Sequence, residues 1–310
     1  VKRGHRAFKL TPELVSAHSG GPVICLDESA IGRTFRLSPW RPEAIEPLTP
    51  AGLRAAGVEI INAPEDPELE AEFEEKVAFV RVDIKGPLEQ RAHYNDSGCG
   101  GGWTDGYDAI AERMIAALEQ GNVLMVIDSP GGAVAGLQEA IKRIQAEKAE
   151  LNRIVVAYAD ELIASAAYWL AATLADEIYV PEMGSVGSIG ARSAHQSIAG
   201  ALEEAGVDVT HFGWPGEGKY AFAAELPLSD IAKKRAQRDV AIAGEAFAAA
   251  VVAGRPGLTR DAIVELDADC LTGSAAVDAG LVDDVASLDE VIEMLVTISQ
   301  HEETDHAEAS

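Results

Sequence analysis

Basic residues are in short supply in this chain: 25 lysines and arginines stand against 51 aspartates and glutamates, a formal net charge of −26 over 310 residues. Such a surface repels phosphate backbones and anionic lipid headgroups, which argues against nucleic-acid binding and electrostatic attachment to a membrane. Cysteine is scarce as well. Cys25, Cys99 and Cys270 are far apart and form no Cys-x-x-Cys pair, so neither a disulfide framework nor a thiolate zinc site is indicated, and a reducing cytoplasm fits. No run reaches the roughly 18 apolar residues that cross a bilayer; the longest candidate, Leu162 to Ala175, is too short. The first residues, Val1-Lys2-Arg3-Gly4-His5-Arg6, do not lead into an apolar signal region. The glycine loop Ser97-Gly98-Cys99-Gly100-Gly101-Gly102-Trp103 lacks the Gly-Lys-Ser/Thr ending of a phosphate cradle. Cys99 within it has no adjacent base to make it a nucleophile.

What the chain does have is an apolar share of 47%, enough for one large domain with an appendage. Its most informative stretch is Ile163-Ala164-Ser165-Ala166-Ala167-Tyr168-Trp169-Leu170. Ser165 falls between the apolar strand Ile154 to Tyr158 and an apolar helix expected over 165–175. A hydroxyl at such a junction lies near the positive end of the helix dipole, a nucleophile's position; the alternative is a serine that merely caps a core helix. Upstream, the buried-strand run Val123 to Ile127 enters Asp128-Ser129-Pro130-Gly131-Gly132, and a helix is expected over 133–147. A Pro-Gly-Gly turn exposes backbone N–H groups that suit an anion or a developing oxyanion. Downstream, Lys219 in Gly216-Glu217-Gly218-Lys219-Tyr220 could act as a general base only if burial kept it neutral, since an ammonium has no lone pair to accept a proton. A lone lysine is otherwise a solvated surface group.

In this order, together with Gly184-Ser185-Val186-Gly187-Ser188-Ile189-Gly190 and the Leu228-Ser229-Asp230 that follows Lys219, these motifs resemble the signal peptide peptidase A family of serine peptidases. Within it, the likeness is to the soluble branch of lambda-type capsid assembly proteases, and it covers roughly residues 77 to 295. The resemblance implies an α/β, Clp protease/crotonase-like fold, a mostly parallel sheet flanked by helices, and a Ser-Lys dyad of Ser165 and Lys219. It also implies an oxyanion hole from the N–H groups of Gly131 and Ala166, and substrate contacts at Gly132, Gly187, Ser188 and Ile189. His195 is an alternative base, read as structural because the branch has a histidine there while using lysine. Ser188 could support Lys219, and Asp128 is read as a turn stabiliser. The apolar Tyr220 to Leu226 departs from the branch's usual segment after the lysine, favouring a neutral amine or signalling altered specificity.

Around this core, residues 1–75 are expected to form a small, irregular, Pro- and Gly-rich segment ending in the acidic run Glu65 to Glu75, residues 76–298 the peptidase domain, and residues 299–310 a disordered acidic tail. Strand and helix alternate through the domain, with strands expected at 77–84, 153–158, 177–180 and 207–212 and helices at 107–118, 195–205 and 228–252. The function implied is peptide-bond hydrolysis by a phage or prophage capsid maturation protease, with scaffold, portal or coat proteins and the enzyme itself as substrates. Such an enzyme works as a homo-oligomer in the bacterial host cytoplasm or inside a procapsid, without metal, nucleotide or redox cofactor. A host peptidase that degrades signal peptides, a catalytically silent scaffold, and a crotonase-like acyl-CoA binder are the competing readings.

Overall fold

A computed structural model describes residues 24–26, 45–49, 79–95 and 102–297. The acidic run 65–75, residues 97–101 of the glycine loop and the tail 299–310 lie outside the described residues. The chain divides into two compact units, Ile24–Ala191 with Ala243–Ser310, and Val1–Val23 with Arg192–Ile242.

The first unit is built on strands β3 (Phe79–Lys85), β7 (Val123–Ser129) and β9 (Val155–Ala164), which pair in parallel. Strands β10 (Glu177–Val180) and β11 (Ser185–Gly187) extend them on β9, also in parallel. Strand β2 (Ile45–Leu48) adds antiparallel to β3, β12 (Cys270–Thr272) antiparallel to β11, and β13 (Asp284–Val285) parallel to β10. Parallel strands covered on both faces should read as unbroken apolar runs, and Val123 to Ile127 does. Val123, Met125 and Ile127 face a core shared with helices α1 (Tyr107–Gln120), α2 (Leu137–Leu151) and α3 (Ala166–Leu174), whereas Leu124 and Val126 pack against Val291, Leu295 and Val296 of the last helix, 288–297. This is the mostly parallel α/β arrangement expected. Part of the segment read as irregular is in fact strand: β2, from residues 1–75, completes one edge of the sheet.

A second sheet orders β1 (Ile24–Leu26), β8 (Gly131–Ala133), β4 (Leu88–Glu89), β6 (Gly102–Gly106) and β5 (His93–Asn95). Strand β6 is tied to helix α1 by a buried ion pair, with Arg113 Nη2 2.7 Å from Asp105 Oδ2 and Arg113 Nη1 3.2 Å from Oδ1. Burial pushes the Asp105 carboxyl above its usual range, and the Arg113 guanidinium pulls against that shift. A carboxyl raised on folding favours the native state at low pH and loses that contribution as pH rises through its folded value. Removing the guanidinium raises the carboxyl further and carries that window toward neutrality. Arg113→Met is therefore expected to lower unfolding free energy by about 3–5 kcal/mol at pH 8 and by clearly less at pH 5. Urea unfolding at the two pH values tests this, and equal losses at both would rule out the electrostatic account.

Several elements differ from expectation. Strand β9 runs on to Ala164 instead of stopping at Tyr158. It bends at Glu161, whose φ is 87°, and passes from pairing with β10 to pairing with β11. Helix α2 starts at Leu137 because Gly131–Ala133 are spent on β8 and Gly136 turns left-handed at the N-cap. In the second unit, the helix expected over 195–205 is only α4 (Ala199–Glu204). Hydrogen bonds from Ile198 N–H to the Ala224 carbonyl and from Ser197 Oγ to the Leu226 carbonyl tie the residues before it to 224–226. No strand forms over 207–212: instead, His211 stacks on Tyr220 with centroids 5.2 Å apart, and Val207, Val209 and Phe212 stay exposed. The long helix α5 (Asp230–Gly254) follows, then α6 (Arg260–Glu265) and α7 (Ser274–Asp278).

Candidate active site

Ser165 lies between β9 and α3 with φ 55° and ψ −121°, a conformation that a residue with a Cβ rarely adopts. Three contacts hold it there. Its N–H donates to the Gly187 carbonyl at 2.8 Å, its carbonyl accepts the Trp169 N–H at 2.9 Å, and β9 is locked to β11 by the Ala164–Gly187 pairing. Helix α3 is anchored in turn. Trp169 stacks on Phe247 of α5 at 4.8 Å, Tyr168 Oη donates to the Leu281 carbonyl at 2.7 Å, and the last residue of α5, Gly254, has room for no side chain against the Ala172 carbonyl. The Gly280-Leu281-Val282-Asp283 stretch thus has a mechanical role, since Asp283 also accepts from Ile178 N–H at 2.7 Å and Arg255 Nη1 at 2.8 Å. Burial pushes the Tyr168 phenol up, so it stays a neutral donor.

The Ser165 hydroxyl makes no capping bond to its helix. Its Oγ is buried and has no hydrogen-bond partner, which disfavours the reading of Ser165 as a simple N-cap. Unpartnered buried hydroxyls are costly and uncommon. The Ala166 N–H beside it belongs to the first helical turn and has no acceptor within the helix.

Gly131 crosses directly beside this junction with φ +87°. A Cβ on it would stand 2.7 Å from Ala166 N, 2.8 Å from the Ala164 carbonyl oxygen and 2.8 Å from Ser165 Cβ. The Gly131 N–H donates to Ser129 Oγ at 3.1 Å, and that hydroxyl donates to the Gly86 carbonyl at 2.7 Å. Of the two N–H groups expected to form an oxyanion hole, Gly131's is therefore engaged within the chain. Ser129, which the sequence reading passed over inside the Asp-Ser-Pro-Gly-Gly motif, fixes the turn; its only sequence signal was its place two residues before Gly131. Asp128 lies near the end of strand β7, paired with Lys85.

The expected substrate-binding residues are mostly accounted for by packing. A Cβ at Gly132 would fall on the Leu88 carbonyl, and one at Gly187 would stand 2.5 Å from the Asp269 carbonyl oxygen. Ser188 N–H donates to that same Asp269 carbonyl at 2.9 Å, and Ser188 and Ile189 are buried.

Lys219 and His195 belong to the second unit. Lys219 ends a short 3-10 turn, Glu217–Lys219, and is exposed, not buried as the sequence reading required. Residues 192–242 bury only Ala224 and Ala232 among their apolar residues, so this unit by itself offers little apolar cover for an ammonium. His195 is half-buried, with Nε2 3.4 Å from the Leu226 carbonyl oxygen. Among the described residues no group of three or more His, Cys, Asp or Glu could hold a metal, and no helix is long and apolar enough to cross a membrane.

Comparison with known proteins connects this geometry to a family. The chain is 31% identical to the Head-tail preconnector protein GP5 of Enterobacteria phage P21 over 193 residues, 62% of this chain and 38% of that protein. It is 29% identical to Capsid assembly protease C of Escherichia phage lambda over 196 residues, 61% of this chain and 43% of that protein. The matched stretch thus spans less than half the length of either relative. Among solved structures, a ClpP1 mutant of Listeria monocytogenes matches with a TM-score of 0.40 and 15% identity, over 67% of this chain and 91% of that one. The sequence model of Peptidase family S49 matches residues 147–301, a span that includes both Ser165 and Lys219, and the chain belongs to that family.

Proposed function

We propose that this chain is a serine endopeptidase in which Ser165 attacks a peptide carbonyl and Lys219 takes its proton. The buried, unpartnered and strained hydroxyl of Ser165 carries the reading. The Ala166 N–H, at the positive end of α3, is the donor for the developing oxyanion. Gly131, without a side chain, allows the carbonyl to approach. The ester formed on Ser165 is then hydrolysed by water. The relatives' names, a capsid assembly protease and a head-tail preconnector protein, favour capsid-assembly proteins such as scaffold, portal or coat as substrates. They also favour a phage or prophage setting over host peptide degradation.

The exposure of Lys219 adds a condition. An ammonium in water cannot accept the serine proton, so Lys219 must be covered when the enzyme works. Phe212 and Trp214, in the same unit, are 91% and 88% exposed. Apolar groups of that size on a surface mark a contact, and a second copy of this chain is the occupant we propose, in line with a homo-oligomer.

The test is cleavage of unfolded casein and of a capsid scaffold protein. Lys219→Ala is expected to lose at least about a hundredfold in rate, and His195→Ala to retain activity. Specific activity should fall on dilution below the assembly concentration. Full activity in Lys219→Ala would sink the dyad, and a preference for casein over scaffold would move the host role forward.

A further inference from the structure

The turn that carries Lys219 is gripped on both flanks by residues of its own unit. On the N-terminal flank, the Gly218 carbonyl accepts from Arg235 Nη1 at 3.2 Å, and a Cβ at Gly218 would stand 2.6 Å from that same nitrogen. On the C-terminal flank, the Tyr220 ring lies against Gly213, where a Cβ would meet its Cδ1 and Cε1 at 3.1 Å, and it stacks on the His211 ring. Stacking of this kind fixes a ring without a polar bond. Tyr220 therefore passes the position of His211 on to its neighbour Lys219.

His211 carries an unused group. Its Nε2 is buried and has no hydrogen-bond partner, yet it stands 3.6 Å from Glu225 Oε2. That gap is too wide for a hydrogen bond, and a buried polar atom left open is costly. Glu225 is tethered to Tyr220 in turn: the Tyr220 carbonyl accepts the Ala223 N–H at 3.0 Å, and the Ala223 carbonyl accepts the Leu226 N–H at 3.2 Å. With a proton on Nε2, a small approach of Glu225 satisfies the nitrogen through a charge-assisted bond and draws the 219–226 segment tight around the imidazole. Packing on Tyr220 alone is served by any flat apolar ring, and it gives no reason for a nitrogen beside a carboxylate.

We propose that His211 is a positioning residue for Lys219: stacked on Tyr220 and closed on Glu225, it fixes the turn that presents the lysine amine for proton transfer. The inference rests on the Ser-Lys reading above, in which Lys219 takes the Ser165 proton. It also gives the Tyr220 to Leu226 segment, which departs from the branch's usual one, a use: it supplies both partners of His211. A residue that places the base without touching substrate acts on kcat and leaves KM alone.

The experiment measures kcat and KM for casein cleavage by the full chain, with urea unfolding of each variant alongside. His211→Phe, which keeps a ring on Tyr220 and removes the nitrogen, is expected to lower kcat at least about tenfold with KM unchanged. Glu225→Leu removes the carboxylate and is expected to do the same, with the double variant no worse than either alone; should one of the two misfold, the other carries the test. In a Lys219→Ala background, His211→Phe is expected to change the residual rate no further. Wild-type kcat in both single variants overturns the positioning role and leaves the dyad standing. A loss that falls on KM, or an equal loss with Lys219 already gone, makes His211 a packing residue and overturns the proposal as well. Full activity in Lys219→Ala overturns the dyad and this proposal together.

Discussion

Ser165→Ala is expected to lose at least about 10⁴-fold in peptide-bond cleavage and yet unfold at a slightly higher denaturant concentration than wild type. The two halves of this result come from one observation, the buried Oγ without a partner. Removing a nucleophile leaves only binding and oxyanion stabilisation, which cannot form the acyl-enzyme. Removing a buried hydroxyl that makes no hydrogen bond relieves a desolvation cost of about 1 kcal/mol or more, and alanine takes the same backbone conformation at no greater strain. A serine that served only as an N-cap would behave in the opposite way, losing about 1 kcal/mol on truncation with no link to activity. Casein cleavage and urea unfolding of the same preparations separate the cases, and loss of stability together with retained cleavage would return Ser165 to a capping role.

Gly131→Ala is expected to lower activity by about 10³-fold and stability by about 2–5 kcal/mol. The stability cost combines the left-handed conformation, roughly 1–2 kcal/mol for a residue with a Cβ, with overpacking, roughly 1–3 kcal/mol. The methyl group would press on Ala166 N, the Ala164 carbonyl and Ser165 Cβ, two of which are backbone atoms that cannot turn aside. The same displacement moves the Ser165 hydroxyl and the Ala166 N–H, and under the proposed mechanism small misplacements there are costly in rate. Gly136→Ala is the control. Its φ of +88° is nearly the same, but its Cβ would meet the Gln90 side chain, with Cγ nearest at 2.8 Å. A flexible side chain can move, so the control should lose stability and keep its catalytic rate. Equal activity losses in the two variants would mean that Gly131 matters only through folding.

Elements with strong apolar pattern were legible in the chain. Val123 to Ile127 reads as a buried parallel strand because both faces are covered, and Ala166 to Leu174 reads as a core helix because it is apolar all round. The candidate nucleophile was legible because strand, serine and helix are contiguous. Strand 207–212 misled, because alternation promises a strand only if another strand is there to pair with it, and among the described residues none is. Segments 24–26 and 45–48 went unread, since three or four residues carry little local preference and their strand state comes from distant partners, Gly131–Ala133 and Phe79–Val82.

The sequence by itself determined the α/β class, the family motifs and the serine, because these depend on residue type and short-range order. Only the tertiary structure decided that the serine hydroxyl is buried without a partner, that the Gly131 N–H is held by Ser129, that Lys219 is exposed, and that a strand from the N-terminal segment pairs with β8 beside Ser165. Each of these depends on groups far apart in the chain or on the amount of apolar surface folded around a single side chain, and neither is encoded in local spacing.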